Sequence, residues 1–151
     1  MLHHGNASRP GRAGRRLLAG QLAAGSTFVL GAAGYGLLEL LWRGHTHWTM
    51  LLTGGACLCG LRRVSRCMLP LPAQCALGSG LITGVELLVG LLCNRALHWN
   101  VWDYSGHWGN LLGQICPLYS FFWFLLCIPV LALLRAADPP RGRLPGHGLP
   151  H

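Results

Sequence analysis

The sequence predicts an all-α fold, a polytopic integral membrane protein with four transmembrane helices. Three observations predict it. Apolar runs of spanning or nearly spanning length recur along the chain. Charged residues make up only 11% of it, against roughly 25% in an ordinary soluble domain. The arginines gather on alternate connections between the runs, as repeated crossings under the positive-inside rule require.

Residues 1–16 are polar, glycine-rich and basic without apolar periodicity, and are expected to form a disordered basic arm. Their sequon, Asn6-Ala7-Ser8, would be modified only on a lumenal face. The first apolar run, Leu17 to Leu41, covers 25 residues, enough to cross a hydrocarbon core of about 30 Å with some tilt. Arg15-Arg16 ahead of it also suits a signal peptide, but the run exceeds the usual apolar region of about 7–15 residues and continues through Glu39.

The second run, Trp48 to Leu61, has 14 residues and falls short of the usual span of about 17–25. Trp48 at one end and Arg62-Arg63 at the other would let it cross by anchoring and snorkelling. A re-entrant or interfacial segment is the alternative. The third run, Met68 to Cys93, starts through Pro70 and Pro72. The fourth, Leu111 to Leu134, contains Pro117 and Pro129, which membrane helices tolerate better than soluble ones. A membrane domain of residues 17–134 results, followed by a Pro/Gly-rich, disordered tail at 135–151.

Charge orients the bundle. With a cytoplasmic N-terminus, that side collects Arg9, Arg12, Arg15, Arg16, Arg62, Arg63, Arg66, Arg135, Arg141 and Arg143, leaving Arg43 and Arg95 opposite. Such asymmetry needs an even number of crossings, with both termini cytoplasmic. The basic balance therefore reads as membrane orientation; no nucleic-acid motif accompanies it. All 12 basic residues are arginine, which excludes a Walker A lysine, a Schiff-base lysine and a Ser-Lys dyad. The seven cysteines lie mostly in or beside apolar runs and read as buried thiols.

The halves echo each other. "ELL" occurs at 39–41 and 86–88 (as "ELL" again), and "HWTMLLTGGAC" (47–57) lines up with "HWGNLLGQIC" (107–116). A 2+2 parallel duplication would explain this; chance matching of leucine-rich, Trp-bordered segments would too.

Glu39 and Glu86 lie inside apolar runs, where an unpaired charge is costly. Small residues near them, including Ala76, Gly80 and Gly84 at spacings of four, let helices approach closely, so both acids should face protein. As structural pairs, Glu39 would take Arg43 at i,i+4, and Glu86 would take Arg95 or another donor. As functional groups, both would line a polar cavity. On the predicted topology Arg43 and His47 share a side with the loop "NRALHWNVWDYSGHWGN", which offers Asn94, Asn100, Asp103, Tyr104 and Asn110. One extracytoplasmic basin would bring Arg43, His47 and Asp103 together over a floor of Glu39 and Glu86. The histidine spacing fits no standard zinc pattern, and Asp103, Ser105 and His107 are too close in sequence to converge as a triad.

"ELLWRGHTHWTM" (39–50), "WDYSGHWGNLLGQIC" (102–116) and "SFFW" (120–123) resemble the bacterial putative ABC-transporter permease family, CmpB-like, and more distantly the eukaryotic transmembrane protein 229 group. The resemblance, from about Phe28 to Trp123, implies four membrane helices in a bacterial cell membrane and adds Gln114 to the site residues. A short second helix and Gly106-His107-Trp108 depart from the pattern. The resemblance implies a permease-like subunit working with a separate ATPase chain, since no Walker motif is present here. A non-catalytic subunit that binds lipid, a second copy or another membrane chain is the alternative, its polar residues then being structural. An intramembrane enzyme is the lesser one. No cofactor is expected.

Overall fold

The computed structural model describes residues 12–138. Its helices are α1 (Arg12–Arg43), α2 (Trp48–Val64), α3 (Leu71–Gly90) and α4 (Pro117–Ala137), and a π-helical turn, Leu91–Ala96, prolongs α3. Most of the expected basic arm and tail lies outside the described residues. Inside them α1 begins at Arg12, within the segment expected as an arm, and α4 continues to Ala137.

Local chemistry sets the helix ends. Gly44 stops α1 at φ 72°, and its amide returns to the Leu40 carbonyl at 3.0 Å, a left-handed cap that glycine adopts without steric cost. His47 caps α2, its ring nitrogen accepting the Thr49 amide at 3.4 Å. Prolines open α3 and α4, where a missing N–H costs nothing. The fourth helix was expected from Leu111 but starts at Pro117. Leu112 and Gly113 take φ of 55° and 70°, and the Leu111 amide turns back to the Ile115 carbonyl at 2.8 Å. That turn cannot continue a right-handed helix.

The helices pack in chain order: α1 on α2, α2 on α3, α3 on α4, with α2 also reaching α4. Among the described residues no Cα of α1 comes within 8 Å of one in α4. The bundle is therefore open along one side. Cys57, Leu61, Cys75, Ile82, Trp123, Cys127 and Leu131 form its core between α2, α3 and α4.

Three helical stretches are long and apolar enough to cross a membrane: Gly20–Arg43, Leu71–Ala96 and Pro117–Ala137. The protein is an integral membrane protein. The fourth helix, α2, has 17 residues and at ~1.5 Å per residue is shorter than a bilayer core of ~30 Å. It packs on α1, α3 and α4 and buries one face against them, with Trp48 and Leu52 left exposed. Glycine makes that position possible: a Cβ on Gly31 would lie 2.5 Å from the Gly54 carbonyl oxygen, and one on Gly55 would strike the Phe28 ring at 2.7 Å.

Two sequence expectations need correction. Residues 47–57 are the capped start of a helix, whereas the matched 107–116 form turns ahead of one. The glutamates also lie at unequal depth: Glu39 is one turn from the end of α1, and Glu86 is ten residues before Ala96. The matching stretches are thus not structurally equivalent. Nor do Gly80 and Gly84 make a close crossing, since nothing lies within 4 Å of a Cβ built on either. The close approaches on α3 fall at Gly78, against Leu61, and Gly90, against Gln114.

Gly54→Val should lower stability by about 1–3 kcal/mol through overpacking, read as thermal unfolding in detergent. Gly34, on the open side of α1 with nothing within 4 Å, should accept valine within about 0.5 kcal/mol. Equal losses at both positions would contradict the crossing.

Candidate functional site

The bundle's two ends differ in chemistry. At one, Arg66 and Arg62 hold Asp138 at the end of α4, with Arg66 Nε 3.0 Å from the carboxylate, and this pairing keeps the Asp138 carboxyl below the usual range. At the other, the α1–α2 connection meets the long loop between the π turn and α4.

There Glu39, 6% exposed, is fully engaged. Arg43 donates to Oε1 at 3.0 Å and the Thr46 hydroxyl to Oε2 at 2.6 Å. Arg43 also donates to the Val101 carbonyl at 2.7 Å, which ties α1 to the long loop. The guanidinium neutralises Glu39, as the i,i+4 spacing predicts.

The long loop is built on an amide network. In the π turn Asn94 points inward, its Nδ2 donating to the Trp102 carbonyl at 3.0 Å and to Gln114 Oε1 at 2.8 Å, while its Oδ1 accepts the Val101 amide at 2.7 Å. Trp102 Nε1 donates to the Gln114 carbonyl at 3.0 Å. Asn110 braces the distal turn through the Ser105 and His107 carbonyls at 3.0 and 2.8 Å and the Gly113 amide at 3.1 Å. Buried amides that satisfy each other in this way specify one loop conformation.

That conformation places Asp103. Its carboxylate accepts the Ser105 amide at 2.8 Å and hydroxyl at 2.9 Å, and these bonds hold its pKa below the ordinary value. Gly113 stands behind it at φ 70°, where a Cβ would lie 2.9 Å from Oδ1. Among the described residues no arginine pairs with Asp103, which therefore carries an uncompensated charge. Tyr104 beside it stacks on Tyr119 at 4.4 Å, and His107 meets Tyr119 edge-on at 5.4 Å. Burial first, and then the charge on Glu86, pushes the Tyr104 hydroxyl well above its usual range, so it remains protonated.

A cavity of about 500 Å³ lies between α1, α4 and this loop. Glu39, Arg43, Asp103 and Tyr104 line it with His107, and its walls are aromatic: Tyr35, Trp42, Trp102, Tyr119, Phe122 and Trp123. Glu86, 2% exposed, sits behind two of those walls. Its carboxylate accepts the Tyr35 hydroxyl at 3.1 Å and Trp123 Nε1 at 2.7 Å. Arg95, the cation considered for it, lies exposed on the π turn.

The structure thus brings Glu39, Arg43, Asp103 and Tyr104 to one cavity and sets Glu86 behind it. His47 is directed elsewhere, to the α2 cap and to Trp48 and Trp99 at ring distances of 5.6 Å each. Asn94, Asn110 and Gln114 hold the loop from within, and Asn100 is an exposed turn residue at φ 51°. Sequence reasoning missed the aromatic walls. Tyr35 and Trp123 look like ordinary members of apolar runs, and the available signal was that a buried glutamate requires donors from neighbouring helices.

Comparison with known families gives one match: a family described as putative ABC-transporter type IV, over residues 26–138. No curated protein and no solved structure matches the chain.

Two substitutions probe the scaffold. Glu86→Gln turns an NH₂ group toward one of two donors, and Asn94→Leu strands the Trp102 carbonyl and the Val101 amide. Each should cost at least about 1–3 kcal/mol, measured by thermal unfolding in detergent. A parental melting curve for Glu86→Gln would mean that the tie to Tyr35 and Trp123 contributes nothing.

Proposed function

The chain belongs to the putative ABC-transporter type IV family, and from that premise we propose that it is a permease-like membrane subunit whose cavity receives an organic cation from the extracytoplasmic side. The observation that carries the reading is the charge balance of the cavity. Glu39 is neutralised by Arg43, and Asp103 supplies one further negative charge at the rim of an aromatic box. Aromatic faces and a carboxylate together suit an ammonium group, worth about 0.5–2 kcal/mol per face when desolvated. A separate chain supplies ATP hydrolysis, because a chain without lysine cannot build a Walker A site.

In this reading the chain crosses four times, with both termini cytoplasmic. The arginine asymmetry supports it. So does the grouping of Arg62 and Arg66 at one end and the aromatic loop at the other. The short α2 completes its crossing through Trp48 and the arginines at its last turn. A second reading, a non-catalytic subunit that binds lipid or a partner chain, is favoured by one observation: Asn94, Asn110, Gln114 and Glu86 are all engaged in internal hydrogen bonds.

Two measurements test the proposal. Tetramethylammonium added to the protein in nanodiscs should change tryptophan fluorescence saturably, since Trp42, Trp102 and Trp123 line the cavity. Asp103→Asn should weaken that response about tenfold or more, and an unchanged curve would defeat the cation reading. Asp103 has a depressed pKa, so affinity should hold from neutral pH down to about pH 4 and disappear as pH falls through the lowered value.

Orientation has its own reporter. Cys67 is exposed in the α2–α3 connection, at the end opposite Leu97. An impermeant maleimide on intact cells should spare Cys67 and should label Leu97→Cys in a Cys67→Ser background. The reverse pattern would invert the topology.

A further inference from the structure

A second cavity, of about 280 Å³, continues from the first along the open side of the bundle. The two share Tyr35, Leu38, Trp123 and Leu126. The lower one runs on toward Leu30, Gly34, Leu61 and Val130 and has no charged lining residue. Together they form one cleft between α1 and α4, polar and aromatic at the loop end and wholly apolar further down. The cleft opens sideways, because no backbone of α4 approaches α1 among the described residues.

We infer that this cleft binds a bilayer-derived amphiphile with an ammonium head and a hydrocarbon tail, the head in the aromatic box beside Asp103 and the tail in the lower cavity against Gly34. The inference rests on the cation reading above and specifies the class of cation. Charge decides the head: the Glu39–Arg43 pair cancels and Asp103 remains. Continuity decides the tail: the lower cavity opens from the box at Tyr35, Leu38, Trp123 and Leu126 and has no charged lining residue, so a head seated beside Asp103 places an attached hydrocarbon chain there. Lateral access decides the route, since an amphiphile already in the membrane reaches the cleft without passing through the loop. Its tail gains little free energy on leaving lipid for an equally apolar wall. The head therefore sets affinity, and the cleft selects for shape.

The test uses a long-chain alkyltrimethylammonium with a photoactivatable diazirine in mid-tail, added to the protein in phosphatidylglycerol nanodiscs, whose lipid has no ammonium group to compete, with adducts mapped by mass spectrometry. Labelling is expected at Leu38, Leu61 and Val130, about tenfold above Leu88 and Leu133 on the outer surface. Gly34→Phe projects a ring into the lower cavity from a position with nothing within 4 Å. It should reduce cleft labelling to the outer-surface level while leaving the tetramethylammonium titration within about twofold; Gly34→Ala should keep both. Even labelling of cleft and outer surface, or labelling indifferent to Gly34→Phe, with the tetramethylammonium response intact, would overturn the tail seat alone. A parent protein that ignores tetramethylammonium would overturn the cation reading beneath it, and the amphiphile assignment with it.

Discussion

A buried carboxylate with no cationic partner among the described residues sets the terms for the rest of the bundle. Glu86 is 2% exposed and lies ten residues from the end of its continuous helix, some 15 Å at ~1.5 Å per residue, about half of a bilayer core. Hydrocarbon offers it no donor. It takes two from protein instead, the Tyr35 hydroxyl of α1 and the indole N–H of Trp123 on α4. The same two rings stack on each other at 5.7 Å. The edge helices are thus tied at one level by side chains while their backbones stay apart. A direct helix–helix contact would have filled the space; this tie leaves a cavity above it and another below.

The loop end completes the upper cavity by a different route. Three short polar side chains, Asn94, Asn110 and Gln114, stand in for regular backbone pairing and hold a stretch with positive φ at five positions between His98 and Gly113. The π turn has a clear role here: it directs the Asn94 side chain inward to the loop. Asp103 is consequently held by Ser105 on one side and given room by Gly113 on the other. Glu39 shows the contrast. It is more deeply buried, and Arg43 and Thr46 engage it fully, so the charge that distinguishes the cavity comes from the loop rather than from the membrane helix.

The lower hydropathy of α2 has a reason visible in its packing. A helix flanked by others need not be apolar all round, because protein meets part of its surface. α2 buries Thr49, Thr53, Gly54 and Gly55 along with its larger residues. Polar threonines and glycines lower its hydropathy, and they are what lets α1 pack closely on it.

What the sequence determined by itself was the additive part of the problem. Membrane class, the apolar runs, the Glu39–Arg43 pair and the motifs that mark the family are properties of single stretches, readable because hydropathy, charge and i,i+4 spacing are local. Tertiary structure decided what depends on pairs distant in the chain. Tyr35 and Trp123 meet Glu86 across 51 and 37 residues, so nothing local marked them as its donors, and the expectation of Arg95 or another donor could name only the cation nearest in sequence. The matched stretches differ for a related reason: the same residue types serve as a helix start at 47–57 and as turns at 107–116, where Gly109, Leu112 and Gly113 take the left-handed region within the stretch itself. The cleft between α1 and α4 was the least legible feature, since a space between helices is a property of packing, and no residue encodes it alone.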